Sequence, residues 1–207
     1  MAQQFSNANT GGKHADPFKA ANLDNEVPLA QKIEDLSNFA TSCKFGMMTT
    51  RDANKSGNLV SRCMALVATN GGIDLLFHTN TESGKTDDLS TDPHVNISFI
   101  NSMGEWASVS GVASVVTDRD LVKKHYSPQL KAWLGDLGDG THDGGENDPR
   151  IGIIRVKMVT AHYSISSKNI LGRVAEVAQG TVTGKPAQVN KLREISEQDV
   201  KNWRSSH

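Results

Sequence analysis

The strongest constraint on the fold is a run of short segments between residues 45 and 116 in which apolar and polar side chains alternate. The clearest case places Val95, Ile97 and Phe99 on one face of a strand and polar side chains on the other. Turn-forming sequences separate the segments, and Asn-Gly-Gly at 70–72 predicts a tight turn. This pattern indicates antiparallel β-structure.

Five strands are predicted in this part of the chain and a sixth after a helical segment. The predicted strands are residues 45–50, 59–69, 73–79, 94–100, 106–116 and 151–164. The predicted helices are residues 28–40, 85–90, 118–134 with a break at Ser127-Pro128, and 196–203, whereas 189–195 fits either strand or helix. Short strands joined by tight turns are typical of a closed barrel, which leaves no free sheet edge. The predicted fold class is therefore mainly β with flanking helices, a six-stranded antiparallel barrel.

Three parts of the chain are distinguished by composition. The length of 207 residues and an apolar content of 37% suit one domain with a sizeable core. Residues 1–25 are predicted to be a flexible polar arm, and residues 26–180 the barrel domain. Residues 181–207 are predicted to be a C-terminal extension that packs on the barrel or on a partner subunit.

Charge and cysteine content exclude several classes of protein. Lys plus Arg number 22 and Asp plus Glu number 23, and this balance argues against a nucleic-acid surface or a polybasic membrane patch. No apolar stretch is long enough to span a membrane, and residues 1–12 do not read as a secretory signal. Cys43 and Cys63 cannot form a disulfide framework or a four-cysteine zinc site, and the histidines are scattered. We expect a cytoplasmic protein without a metal site.

An arginine stands in an otherwise apolar row of the second strand. Alternation places Val60, Arg62, Met64 and Leu66 on one face. A charge in such a row is costly unless it is paired. Two interpretations stay open: a carboxylate partner or exposed head group, or an arginine that binds an anion such as phosphate.

The loop after the third strand carries a second candidate group. Within residues 79–86, Gly84-Lys85-Thr86 resembles the end of a Walker A loop, but that motif requires a glycine where Thr79 stands. What remains is hydroxyl groups, Lys85 and a helix N-terminus, which together favour an oxyanion, although a capped helix with a solvated lysine also fits. Because the second and third strands should pair, Arg62 and this loop are predicted to converge on a phosphate pocket. Trp106 on the fifth strand offers a flat surface for a planar ring, or packs against a partner chain or the first helix.

Several of these segments, in this order, resemble the pyridoxamine 5'-phosphate oxidase-like FMN-binding split barrels. The segments are Arg62-Cys63-Met64-Ala65-Leu66-Val67, Phe77-His78-Thr79-Asn80, Ser83-Gly84-Lys85 and Asp92-Pro93-His94-Val95-Asn96. The sequences at 105–111 and 127–133 are similar to the general stress protein branch, and the polar arm and residues 194–203 to its fungal blue-light-inducible proteins.

The resemblance implies a six-stranded split barrel that forms a homodimer with FMN at the subunit interface. Arg62 and Lys85, aided by Ser83, would hold the phosphate, and His78 and Thr79 would line the ribityl or phosphate side. The backbone of Arg62, Cys63, Met64, Ala65, Leu66 and Val67 would run along the flavin ring. Trp106 stands where the oxidases often carry a glutamine that touches the flavin, and Gly84 where they usually have an arginine.

The resemblance also implies a function, an FMN-dependent oxidoreductase of unknown substrate. FMN is expected rather than FAD or a deazaflavin, and no catalytic residue is identified. The C-terminal residues 199–207 do not match the late Trp/Arg-rich segment of true pyridoxamine phosphate oxidases, so that activity is not expected. The alternative is a non-catalytic flavin-binding stress protein that buffers or senses flavin.

Overall fold

The computed structural model describes residues 16–54, 57–167 and 170–207. The helices are α1 (Pro17–Asn22), α2 (Leu29–Cys43), α3 (Gly84–Thr91), α4 (Arg119–His125), α5 (Leu130–Leu134), α6 (Ile170–Thr183) and α7 (Glu197–Ser206). The strands are β1 (Phe45–Arg51), β2 (Leu59–Asn70), β3 (Asp74–Asn80), β4 (His94–Ile100), β5 (Trp106–Val116), β6 (Ile151–Ser166) and β7 (Asn190–Ile195). No helix in these ranges is both long enough and apolar enough to cross a membrane.

Six of the strands close into an antiparallel barrel, which confirms the predicted fold class. The sheet order is β3-β2-β1-β4-β5-β6-β7, and an additional pairing of β3 with β6 closes the ring. The hairpin turn before β3 is as predicted, because Gly71 and Gly72 both have positive φ. A Cβ at Gly72 would lie 2.8 Å from a methyl group of Ile33, so this turn also needs a glycine for its contact with α2.

The core lies inside the barrel and under α2. Alternate residues of each strand point inward, as the period of two requires, and α2 contributes Ile33, Leu36, Phe39 and Ala40. A second, smaller cluster lies outside the barrel, where α4 and α5 cover β3 and β6. The predicted helical break at Ser127-Pro128 falls between α4 and α5.

The N-terminal arm differs from its prediction in the part that is described. Residues 16–25 include α1, and Asn22 is buried because its amide bonds to the backbone at Ala187, Val189 and Asn190. These contacts fix the segment to β7. Residues 1–15 lie outside the described residues, so for them the arm stays a prediction.

The C-terminal residues return to the barrel. β7 pairs with the second half of β6, so the ambiguous segment near residue 190 is a strand. Ser196 and Asp199 form a capping box at the start of α7, as their spacing indicates. The Trp203 indole donates to the carbonyl of Gly71. Helix α6, between β6 and β7, has no counterpart among the predicted elements.

Candidate functional site

The candidate site is a cleft where the barrel wall opens between β2 and β3. Residues 59–65 of β2 pair with β1, but only residues 66–70 pair with β3, after an irregularity between Leu66 and Ala68. β3 pairs with β6 along its whole length, which turns it away from the first half of β2. Among the described residues, no ladder joins 59–65 to 78–80, and backbone groups on this edge of β2 are therefore open to a ligand.

Arg62 lies on the inner face of β2 at this opening. Its guanidinium donates to the Thr50 hydroxyl at 2.9 Å and to the Asp88 carboxylate at 2.8 Å. The Asp88 side chain is only 4% exposed, whereas that of Arg62 is 31% exposed. A guanidinium has about five N–H donors, so these two bonds leave donors for a ligand or for water. Arg62 therefore fits both open interpretations: it is paired with a carboxylate, and it keeps donors that can bind an anion.

Asp88 is held ionised by the groups around it. Burial alone would raise the pKa of this carboxyl. Hydrogen bonds from the Ala53 backbone N–H, the Thr50 hydroxyl and the Arg62 guanidinium outweigh burial, and the pKa of Asp88 is lowered. The carboxylate therefore orients Arg62 and ties β2 to α3.

Lys85, in the first turn of α3, supplies the second cation. Its ammonium donates to the Ser83 hydroxyl at 2.8 Å and to the Thr79 hydroxyl at 3.2 Å. Ser83 stands at the N-cap without a side-chain cap bond, since its hydroxyl donates to the carbonyl of Asn80 instead. Of the two open interpretations, this geometry favours the oxyanion site over a capped helix with a solvated lysine, because Lys85 is half-buried and its partners are hydroxyl groups.

The charges of Arg62 and Lys85 repel each other. Burial lowers the pKa of Lys85, and the positive charge of Arg62 lowers it further. An anion between them would reverse both effects, because it would neutralise the repulsion and replace lost hydration. The hydroxyls of Thr79 and Ser83 can turn to donate to the same anion. The donor set suits a phosphate group.

The structure brings together four of the predicted site residues, namely Arg62, Thr79, Ser83 and Lys85. Of the other predicted β2 residues, Cys63, Met64 and Ala65 lie on the unpaired edge, whereas Leu66 pairs with β3. The side chains of Met64 and Leu66 point into the core, those of Cys63 and Ala65 are exposed on the outer face, and Val67 lies beneath the outer helices. The sequence reasoning missed Thr50 and Asp88, although a carboxylate partner for Arg62 was one of its open alternatives.

His78 and Trp106 lie elsewhere. His78 is two residues from Leu76 in β3, so its side chain points, like that of Leu76, to the outer side of the barrel. There it bonds to the backbone of His125, and burial lowers the pKa of its imidazole. It does not share the cleft with Thr79, because adjacent strand residues face opposite ways. Trp106 is half-buried on the outer side of β5, which is separated from β2 in the sheet order by two strands, β1 and β4. Within one chain it does not reach the cleft.

Comparisons with known proteins agree on one family for this chain. The chain matches the family model "Pyridoxamine 5'-phosphate oxidase like" over residues 31–188. Protein bli-3 of Neurospora crassa is 75% identical over 207 residues, which are 99% of each chain.

Two solved structures share the fold. General stress protein 26 of Bacillus anthracis has a TM-score of 0.54 at 21% identity, covering 64% of this chain and 93% of its own. A pyridoxamine 5'-phosphate oxidase-related, FMN binding protein of Nostoc punctiforme has a TM-score of 0.52 at 17% identity, covering 67% of this chain and 84% of its own. The extent of the family match and the identity to bli-3 show that this chain belongs to the pyridoxamine 5'-phosphate oxidase-like family.

Proposed function

We propose that this protein binds FMN in the cleft between β2 and β3 and acts as a flavin-dependent oxidoreductase. The observation that carries the proposal is the pair of neighbouring cations, Arg62 and Lys85, set among hydroxyl groups at the open edge of β2. Family membership and the FMN binding named for the Nostoc structure support the same ligand.

Each group has a separate task in this proposal. Arg62, oriented by Asp88, and Lys85 would bind the terminal phosphate through charge-assisted bonds. Backbone N–H and C=O groups on the open edge of β2 would orient the ring, and the adjoining core would exclude water from one side of it. The flavin itself would supply the redox chemistry as an acceptor and donor of electrons or hydride.

The proposal includes a homodimer with the flavin at the subunit interface. Trp106 does not reach the cleft of its own chain, so a partner would have to provide it. The ring's second side would then be covered by the partner, and the open cleft would become a closed pocket. The protein's substrate would enter at that junction.

The first test is the visible absorption spectrum of the purified protein, with mass analysis of whatever heat releases. We expect a flavin spectrum and released FMN. The apoprotein should also bind added FMN more tightly than FAD, since the phosphate pocket receives a terminal phosphate. A colourless protein that ignores FMN, FAD and deazaflavin would overturn the proposal.

The second test changes one charge. Lys85→Met keeps most of the side-chain volume and removes the ammonium, and a charge-assisted bond contributes about 1.5–3 kcal/mol, so FMN affinity should fall about ten- to a hundredfold. Lys123→Met, on an exposed residue of α4, is the matched control and should bind like the wild type. Equal affinity in the two variants would contradict the assignment of Lys85.

The third test separates turnover from binding. Anaerobic addition of NADH or NADPH should bleach the flavin absorption, and air should restore it. A protein that binds FMN tightly and resists both reductants would be the non-catalytic flavin-binding stress protein, and the oxidoreductase part of the proposal would be wrong.

A further inference from the structure

Helix α6 presents its apolar side to solvent. Leu171, Val174, Val177 and Val182 are between 53% and 87% exposed. The half-buried positions of the helix are instead Gly172, Arg173, Glu176 and Gly180, which lie on the opposite side at helical spacing. An amphipathic helix normally buries its apolar stripe, so this stripe lacks a partner within the described chain.

The barrel carries a second exposed apolar surface, here termed the outer sheet face. It consists of the outward side chains of β1, β2, β4 and β5. Its large apolar members are 37% to 71% exposed, namely Phe45, Met47, Leu59, Ile100 and Val112. The middle of the face carries small polar groups that bond to each other, such as Thr49 with Ser61 and Asn96 with Ser108. Exposed large apolar side chains at both ends of one sheet face mark an interaction surface.

A groove with a volume of about 320 Å³ lies at one end of this face. Leu59, Asn96, Ser110 and Gly111 are among the residues that line it. Arg51, Asp92 and His94 form its polar rim, where Asp92 accepts from Arg51 at 3.2 Å and contacts the His94 ring at 2.7 Å. The groove is wide enough for a few aliphatic side chains.

The residues of this chain outside the described ranges do not suit the apolar stripe of α6 as a partner. Residues 1–15, the longest segment outside the description, have only Met1 and Phe5 as large apolar side chains. A membrane surface is also disfavoured, because residues 170–183 carry one arginine and one glutamate and no basic face. A second copy of this chain carries both apolar surfaces that need cover.

The area of these surfaces also favours a second copy of this chain as the occupant. Four strands, each about 4.8 Å wide, and seven residues of about 3.4 Å each give the outer sheet face a flat area of roughly 460 Å². A stable interface needs about 800 Å² per partner, so two sheet faces alone are small. Helix α6 is about 21 Å long and about 10 Å wide, and its apolar side would extend the contact substantially.

The topology indicates how the surfaces meet. α6 follows the end of β6, where Ser164 pairs with Trp106, whereas the groove lies at the opposite end of the strands near Leu59. In a dimer with a two-fold axis across the strands, the α6 of one copy would lie at the end of the sheet that carries the groove of the other. We propose that in the homodimer α6 of each chain packs on the outer sheet face of its partner, with its apolar stripe in this groove. The inference rests on the homodimer proposed above and adds the element that seals it.

Disulfide trapping tests the contact directly. In a Cys63→Ser background, chains carrying Val174→Cys and tagged chains carrying Leu59→Cys are mixed and oxidised. We expect a mixed covalent dimer on a non-reducing gel, because the two positions belong to different copies. Lys123→Cys replaces Leu59→Cys as the control and should give none. Equal yields from both mixtures, or no product from either, would overturn the inference.

Sedimentation measures the contribution of the helix. Leu171→Glu with Val174→Glu should raise the dimer dissociation constant about a hundredfold or more, since each change occurs twice in a symmetric dimer. Gln179→Glu adds a charge beside the stripe and should leave the constant nearly unchanged. The thermal melt of the dissociated chain should not change, because these side chains are exposed.

The outcomes separate the proposals. A wild-type dimer whose dissociation constant ignores the double variant would overturn the role of α6 and leave the homodimer standing. A wild-type protein that is monomeric at every concentration would overturn both. The phosphate pocket is tested separately by FMN titration of Lys85→Met, because that variant leaves α6 and the outer sheet face unchanged.

Discussion

Two arginine–aspartate pairs in this molecule look alike and differ in one respect. Arg62 pairs with Asp88 at 2.8 Å, and Arg150 pairs with Asp148 at 2.7 Å, and both aspartates are buried. Arg150 is buried as well, and its remaining donors reach the carbonyls of Leu134 and Gly135. Its guanidinium is thus bonded on every nitrogen, whereas that of Arg62 is partly exposed at the cleft.

The difference indicates which arginine serves structure and which can serve a ligand. Arg150 ties the end of α5 to the start of β6, and its bonds satisfy every nitrogen without a ligand. Arg62 is held by Asp88 and Thr50 in a fixed orientation with donors remaining. A carboxylate partner therefore does not argue against anion binding; here it positions the cation. The number of remaining donors is the better criterion.

Breaking the saturated pair should have the largest effect. Asp148→Asn leaves the Arg150 charge buried without its counterion, and we expect the melting temperature to fall by roughly 10 °C. FMN affinity of the folded protein should stay within about twofold, since the nitrogens of the Arg150 guanidinium are bonded to Asp148, Leu134 and Gly135 and to none of the phosphate-pocket residues. Circular dichroism melts and a flavin titration measure the two quantities. A strong loss of affinity with an unchanged melt would reverse the roles assigned to the two arginines.

Removing Arg62 should affect both properties, and Arg204 offers a matched comparison. Arg204 pairs with Asp74 with side-chain exposures of 36% and 7%, close to the 31% and 4% of Arg62 and Asp88. Because both guanidinium groups are partly solvated, each change to alanine should lower the free energy of unfolding by only about 1–2 kcal/mol. Arg62→Ala alone should weaken FMN binding, by about ten- to a hundredfold.

Urea unfolding and fluorescence titration of the two variants provide the readout. If Arg204→Ala reduced FMN affinity as much as Arg62→Ala, the loss would be a general effect of destabilisation. The proposed phosphate contact of Arg62 would then have no support from mutation.

Much of the barrel could be predicted because its signals are local. Alternation identifies the inward row of β2, including Arg62, and the two glycines at 71 and 72 identify the turn into β3. The convergence of Arg62 with Lys85 also follows from strand pairing. The register shift at Leu66 is not local, because the closure of the barrel by β6 draws β3 away, and no pattern within β2 announces it.

Two other features illustrate different limits. The resemblance groups His78 with Thr79, although the period of two in the same strand assigns them to opposite faces. The sequence pattern does not predict helix α6, because its two glycines and its β-branched residues have low helix propensity. Asp88 was missed as a partner of Arg62 because the contact joins residues 26 apart in sequence.

Acid should reveal the smallest difference between the two pairs. The pKa of Asp148 is lowered to about 2, because hydrogen bonds from Arg150 outweigh burial, and the pKa of Asp88 is lowered too. A carboxyl with a lowered pKa in the folded state contributes stability that is fully present above its unfolded pKa of about 4 and is lost as the pH falls toward the folded value. Melting temperatures should therefore be level near pH 5–6 and decline below about pH 4.

Variants identify the carboxyl groups that cause this decline in melting temperature. Asp148→Asn has no carboxyl to titrate, so its melting temperature should fall less between pH 4 and pH 2 than that of the wild type. Arg62→Ala removes one of the three donors that hold Asp88 ionised, and its curve should lie between the two, because the Ala53 and Thr50 bonds remain. Parallel curves for all three proteins would mean that other carboxyl groups control acid unfolding, and that neither aspartate is coupled to its arginine as the geometry indicates.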